Sequence, residues 1–308
     1  MIWTVTPNPA VDTTYNVGRL RYGQTHRVQQ VQVRPGGKGL NVARVLEQLG
    51  ARVGATGLLG GTSGQFVCSQ LTQLAPTVEQ RWVDTGVKTR TSVAVVDGQA
   101  TVFNESGQPV PNWCWAELED LLRQVVHPGD VVTINGSLPQ DTPAGTVPGL
   151  ARAAREAGAR LIIDTSGAAL LESAAWADIV KPNEEELLAA TGAETVSEGV
   201  AQLQARGCQV VVVSRGGDGM ELWSPLGVWA CRPPRVLVGN ATGAGDAAVA
   251  SLALTLQDAD LGDAQQLRAA LRQAVATSAA AVVVPTAGEI DMPMRTELLA
   301  SLTVSDVA

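Results

Sequence analysis

Cysteine and histidine are scarce in this chain, with four of the former and two of the latter among 308 residues. Cys68, Cys114, Cys208 and Cys231 stand far apart with no CxxC pair, and His26 and His127 offer no ligand spacing. Neither a disulfide framework nor a zinc site is expected, and reduced thiols suit a cytoplasmic protein. Positive charge is also short: 22 Lys and Arg stand against 30 Asp and Glu, giving a net charge of −8 and a pI near 4.9. So acidic a chain lacks the broad basic surface that nucleic acid or an anionic membrane requires, and any phosphate site must be local. Also missing are an apolar run long enough to span a bilayer, a basic n-region with an apolar h-region near Met1, an internal repeat and a low-complexity tract. What remains is 45% hydrophobic with a mean hydropathy of +0.10, enough to bury a large α/β core.

The stretch around which the rest is organised runs from Val236 to Ala250. A β-branched run, Val236-Leu237-Val238, feeds the Gly-rich turn Gly243-Ala244-Gly245, and a small-residue helix follows with Asp246 in its first turn. The N–H groups that open such a helix have no intrahelical partner and lie at the positive end of its dipole, so they hold phosphoryl oxygens. Glycine lets a ligand approach the backbone closely. Asp246 then stands where it can take a proton from an attacking hydroxyl.

Ile2 to Thr6 reads as a buried strand stopped by Pro7-Asn8-Pro9, which places Asp12 beyond the strand's C-terminal end, the edge at which open α/β sheets bind ligands. Val17 to Val33 alternates polar and apolar residues and reads as exposed antiparallel strands, a candidate lid carrying Arg27. Arg34-Pro35-Gly36-Gly37-Lys38-Gly39 then opens a helix through Leu49, with Gly50 closing it. The GxxxxGK[ST] spacing of a nucleotide-triphosphate loop is absent. The stretch offers backbone amides, Lys38 as a point charge, and Asn41 as donor and acceptor one turn in.

Farther on, Arg90 lies at the base of a hairpin, where it either forks onto a phosphate or is an ordinary surface charge. Strands and helices alternate from Val53 to Ser214, which favours a parallel sheet covered by helices. Asn183 is a good N-cap with Glu186 three residues on, a sufficient structural role; the acids Glu184-Glu185-Glu186 could also hold Mg²⁺ through water.

Seven motifs together carry a resemblance: Thr6-Pro7-Asn8-Pro9-Ala10-Val11-Asp12, Gly36-Gly37-Lys38-Gly39-Leu40-Asn41-Val42-Ala43, Thr89-Arg90, Gly136-Ser137-Leu138-Pro139, Lys181-Pro182-Asn183-Glu184-Glu185-Glu186, Val213-Ser214-Arg215-Gly216 and Gly243-Ala244-Gly245-Asp246. In this order, over nearly the whole length, the chain resembles the PfkB (ribokinase-like) carbohydrate kinases, in the branch of 1-phosphofructokinases and tagatose-6-phosphate kinases. The resemblance implies a single kinase domain over 1–308: a central, mostly parallel sheet between helices, with a small β lid formed by segments near 13–34 and 88–104. It implies ATP and Mg²⁺ as cofactors, a small sugar phosphate as partner, and a homodimer formed through the lid. Asp246 matches the catalytic base, and Gly243, Ala244 and Gly245 the anion hole. Asp12, Gly37 and Asn41 match positions that hold sugar hydroxyls; Lys38, Arg90 and Ser137, with Arg27 added from the lid, match those around the phosphate already on the substrate. Asn183 and Glu186 match a pair that organises Mg²⁺ through water. Lys181, Asn183, Ser214, Gly216 and Gly219 fall to the nucleotide.

The family pattern Asp-Thr-x-Gly-Ala-Gly-Asp is here Asn240-Ala241-Thr242-Gly243-Ala244-Gly245-Asp246. The base and anion hole are kept; contacts of the replaced acid and hydroxyl are not carried over. Phosphorylation of fructose 1-phosphate is placed first, with tagatose 6-phosphate and fructose 6-phosphate as alternatives. Two readings from other classes are an NAD-dependent oxidoreductase, because Gly243-x-Gly245-x-x-Ala248 formally fits a dinucleotide fingerprint, and a non-catalytic sugar-phosphate sensor.

Overall fold

A computed structural model describes residues 1–237 and 239–307. The chain enters the core as β1 (Ile2–Thr6), leaves it as β2 (Ala10–Asn16) and β3 (Gln30–Gly36), and returns through α1 (Lys38–Gln48), β4 (Val53–Leu59), α2 (Gly61–Leu74) and β5 (Glu79–Asp84). A second excursion, β6 (Arg90–Val96) and β7 (Ala100–Asn104), precedes α3 (Asn112–Val125), β8 (Val131–Asn135), α4 (Thr146–Glu156), β9 (Arg160–Asp164), α5 (Gly167–Ser173) and β10 (Ile179–Val180). Then come α6 (Glu184–Thr191), α7 (Val196–Ala205), β11 (Val210–Ser214), β12 (Met220–Ser224), β13 (Gly227–Cys231), α8 (Ala244–Leu256), α9 (Ala264–Val282), α10 (Met292–Ser301) and β14 (Val304–Asp306).

The core strands are apolar on both faces because helices cover both. Ten strands lie in the order β14-β13-β12-β11-β10-β9-β8-β1-β4-β5, parallel from β11 to β5 and antiparallel from β11 to β14. Ile2, Val131 and Ile162 pack on one side with Leu40 and Leu46 of α1 and the alanines of α8 and α9, while Trp3, Val132 and Leu161 pack on the other with Leu118 of α3 and Leu150 of α4. After β1 the chain builds outward to β4 and β5, then crosses back to β8. The strand order reverses there, and a crevice opens beyond the C-terminal ends of β1 and β8, the usual place for a ligand in such sheets.

The smaller sheet has the order β3-β2-β6-β7, with β2 parallel to β6. The expected lid is therefore a real second sheet, with bounds that differ from the sequence reading. Residues 17–29 are not strand, despite their alternation; the pairing begins instead at Ala10. The cause is loss of a partner. β2 runs in register with β6 from Ala10 opposite Arg90 to Asn16 opposite Val96, and β6 then turns back into β7, so residues past Val17 have nothing to pair with. The β-branched run before the glycine turn also differs: Val236 and Leu237 are coil, and Val238 lies outside the described residues.

Candidate active site

One cleft of about 1640 Å³ runs along the C-terminal edge of the large sheet, roofed by the small sheet and closed at its base by α8. That exceeds the roughly 300–1,000 Å³ usual for a single small ligand and leaves room for two. Asp12, Gly37, Lys38, Asn41, Arg90, Ser137, Lys181, Asn183, Glu186, Ser214, Gly216, Gly219 and the run Gly243 to Asp246 all line it. Arg27 does not; it sits on the exposed 17–29 loop.

At the base, α8 starts with Gly243 as N-cap at φ 88° and no side chain caps it; the N–H of Ala244 donates to the carbonyl of Ala241 at 3.2 Å, which leaves those of Gly245 and Asp246 without a backbone partner among the described residues. The two glycines do different work. A Cβ on Gly243 would strike Ala287, so this residue serves the turn's left-handed geometry and its packing; a Cβ on Gly245 would only touch the ammonium of Lys181, so there glycine leaves the backbone open to approach. Asp246, in the first turn, is 6% exposed and accepts a hydrogen bond from Asn41 Nδ2 at 2.8 Å. Burial, with the carboxylate of Asp164 nearby, pushes its pKa up to about 6, against the pull of Lys38, Asn41 and Lys181. Asn41 thus spends its amide on Asp246. The dinucleotide fingerprint finds no support: among the described residues α8 follows coil and leads directly to α9, on which it packs, so it does not join two strands as a βαβ unit requires.

Above Asp246 lies a cluster of charge. Lys38 Nζ stands 3.2 Å from Asp164 Oδ1 and 3.3 Å from Glu186 Oε1, and Lys181 Nζ, almost wholly buried, 3.8 Å from Asp164. Burial would lower the pKa of Lys38, but Asp164, Glu186 and Asp246 outweigh it and hold the ammonium above its ordinary value. These are two of only three lysines in the chain. No sequence motif marks Asp164. Its one available signal is position, as the last residue of β9 before Thr165-Ser166-Gly167, on the same edge as Thr6 and Asn135.

Glu186 does close the expected capping box: its backbone N–H donates to Asn183 Oδ1 at 2.6 Å, and its Oε2 accepts from Asn183 N–H at 3.0 Å. Among the described residues no three acidic, histidine or cysteine side chains converge as direct metal ligands. Asp164 Oδ2, however, is buried without a hydrogen-bond partner among those residues, and Asp164 Oδ1 and Glu186 Oε1 meet at the same ammonium of Lys38. Such a donor set fits Mg²⁺ held largely by water and phosphate oxygens.

At the roofed end, Asp12 lies across the backbone of Gly36, where any Cβ would collide with its carboxylate. Burial raises its pKa to about 6 although Arg90 and Arg44 pull it down. Arg90 donates to the carbonyls of Asn8 at 3.2 Å and Glu105 at 2.9 Å, joining the two sheets, and Asn8 Nδ2 donates to Ser137 Oγ at 3.3 Å. At the opposite end, Arg215 is held by Glu184 and Glu221, and the turn Gly216–Asp218 leads to a wall of Leu237, Val275, Ala279 and Val282. Asn240, the departure from the family pattern, accepts from the N–H of Thr242 and donates to the carbonyl of Pro285, each at 3.0 Å.

Comparison with known proteins places this geometry. Residues 5–294 match the profile of the pfkB family carbohydrate kinases. The chain is 36% identical over 298 residues to a 1-phosphofructokinase of Xanthomonas campestris pv. campestris, covering 89% of each. Among solved structures, phosphofructokinase-2 of Escherichia coli in complex with fructose-6-phosphate superposes with a TM-score of 0.85 at 27% identity, over 97% of this chain and 98% of that one. Arabidopsis thaliana ribokinase, complexed with ribose and ATP, shares the fold, with a TM-score of 0.72 at 24% identity over 97% and 98%. With the profile spanning nearly the whole sequence and a relative above one-third identity, this chain belongs to the pfkB family of carbohydrate kinases.

Proposed function

We propose that the chain, as one kinase domain, transfers the γ-phosphoryl group of ATP to the free primary hydroxyl of a ketohexose monophosphate, with fructose 1-phosphate as its substrate. The observation that carries this reading is one cleft in which a buried carboxylate and an uncapped helix start, Gly243 to Asp246, face Asp12 and Lys38. Asp246 takes the proton of the attacking hydroxyl. The N–H groups of Gly245 and Asp246 at the start of α8, with Lys38 and Lys181, offset charge that develops on the transferred group; in phosphoryl transfer such positioning and neutralisation supply most of the rate. Asp12 and Gly37 hold sugar hydroxyls, and Arg90 and Ser137 meet the phosphate already present. Lys38 pairs with Asp164 and Glu186, next to Asp246, which favours a place at the reacting end over one at the distal phosphate. Lys181, Asn183, Ser214, Gly216 and Gly219 border the nucleotide. Mg²⁺, when bound, neutralises phosphate charge; Glu186, Asn183 and Asp164 are the residues to hold it, chiefly through water.

The small sheet closes over the sugar and pairs two copies of the chain. In register, Val33, Thr13, Val93 and Phe103 form one row and Val31, Tyr15, Val95 and Thr101 the next, both on the face away from Asp12 and Ser92. Val31 is 50% and Phe103 59% exposed, an apolar face that a second copy would cover. Among the described residues no helix is long and apolar enough to cross a membrane.

An assay coupled to ADP release tests the reading with fructose 1-phosphate, tagatose 6-phosphate, fructose 6-phosphate, ribose and adenosine. The expected order puts fructose 1-phosphate highest in kcat/KM. A preference for ribose or adenosine, or no ADP release with any acceptor, would overturn it.

A further inference from the structure

The helix that carries Asn41 also presents Arg44 and Gln48 on the same face, at spacings of three and four residues. All three reach one segment. Arg44 Nη1 donates to the carbonyl of Ala287 at 2.9 Å, and Nη2 lies 2.7 Å from Glu289 Oε1. Gln48 donates to the carbonyl of Gly288 at 2.9 Å and accepts from the N–H of Ile290 at 3.1 Å. Gly288, at φ +76°, leaves space that a Cβ would take from Arg44 and Asn41. The other side of this segment supports the anion turn: Ala287 fills the place where Gly243 would carry a Cβ, and Asn240 holds Pro285. A guanidinium only 4% exposed, paired with a carboxylate that is itself 37% exposed, is a costly way to fasten a loop.

We infer that Arg44 is a positioning residue for phosphoryl transfer. Through its bond to Ala287 it presses the 285–290 segment against Gly243, which fixes where the amides of the turn point, while Asn41 on the same helix face fixes Asp246. The base and the anion site are thereby set from one rigid element. Lysine cannot replace it, because a single ammonium lacks the planar fork that spans Ala287 and Glu289.

This inference rests on the kinase reading, and its test separates the two. Arg44→Lys and Gln48→Ala are compared with wild type on whichever ketose phosphate the wild type turns over best, with amide hydrogen exchange followed at 243–246 and 285–290. For Arg44→Lys, kcat should fall about ten-fold or more while KM for the sugar phosphate stays within about two-fold, as for an interaction expressed in the transition state. Gln48→Ala should show a smaller loss of the same kind, about three-fold. Glu289→Gln, which keeps the grip on Ala287, should retain kcat within about two-fold. In Arg44→Lys, exchange should quicken at 243–246 as well as at 285–290. Quickening confined to 285–290, unchanged kcat, or a kcat loss matched by an equal rise in KM would overturn the proposal. Gln48→Ala with unaltered kcat and exchange would do so even if Arg44→Lys did not fold. A wild type inactive on every acceptor would instead overturn the kinase reading, leaving the exchange experiment to decide the role of Arg44.

Discussion

Asp246 is held ready and at a cost. Its pKa of about 6 lies some two units above the unfolded value of 3.8, so the folded chain binds that proton more tightly than the unfolded one. Below the unfolded value both states are protonated and nothing is lost; as pH rises toward 6 the burden grows, and above it the full penalty, about 3 kcal/mol at most, stands against folding. Asp246→Asn should therefore cut kcat by about two to four decades with little change in KM, while raising the melting temperature at pH 8 far more than near pH 4. Kinetics and thermal melts at the two pH values check this; turnover near wild type would remove Asp246 from its role. In the wild type, kcat/KM should fall below about pH 6, by about tenfold per pH unit where protonation of Asp246 alone stops turnover and by up to about a hundredfold where Asp12 must be ionised as well. Arg90, proposed to meet the substrate phosphate, also ties the carbonyls of Asn8 and Glu105. Arg90→Ala should raise KM for the sugar phosphate by about ten-fold or more, the loss of a charge-assisted contact; an unchanged KM would show that it grips backbone only.

Among the helices, α6 shows how a structural motif and a site share residues. The capping box that starts it also aims Glu186 at Lys38. Asn183→Ala should lower stability by about 1 kcal/mol in urea titration, the usual value of an N-cap, and raise the Mg²⁺ concentration needed for half-maximal activity. That box was legible in the sequence because its cause is local, three residues apart. The glycine turn, the closure of α1 by Gly50 and the run of alternating strands and helices were legible for the same reason. Asp164 was not. Nothing beside it marks it, and its importance comes from β9 lying next to β8, which brings it to the lysines of α1 and of the segment after β10. The 17–29 segment failed in the opposite way: its alternation is genuine, but a strand needs a partner, and the turn between β6 and β7 removes one. Arg27 was lost with it. Arg44, one turn past Asn41, reads as an ordinary helix residue until the distant 285–290 segment that it binds is seen.

For the assembled protein, the apolar rows on the outer face of the small sheet make a quantitative demand. Replacing Phe103 by Asp should shift sedimentation from a dimer to a monomer without changing the melting of the large sheet, because that position touches neither core. A chain that is monomeric before substitution would refute pairing through the lid.

The scarcity of lysine has its own outcome. Lys88 is exposed and Lys38 and Lys181 share the cleft, while the terminal amine is tied to Asp130. Reagents that acylate, carbamylate or glycate amines therefore find few places to react, and they reach the exposed Lys88 before Lys38, which its carboxylate partners keep as an unreactive ammonium. Chemical ageing of this protein would therefore mark its outer surface before it reached the cleft.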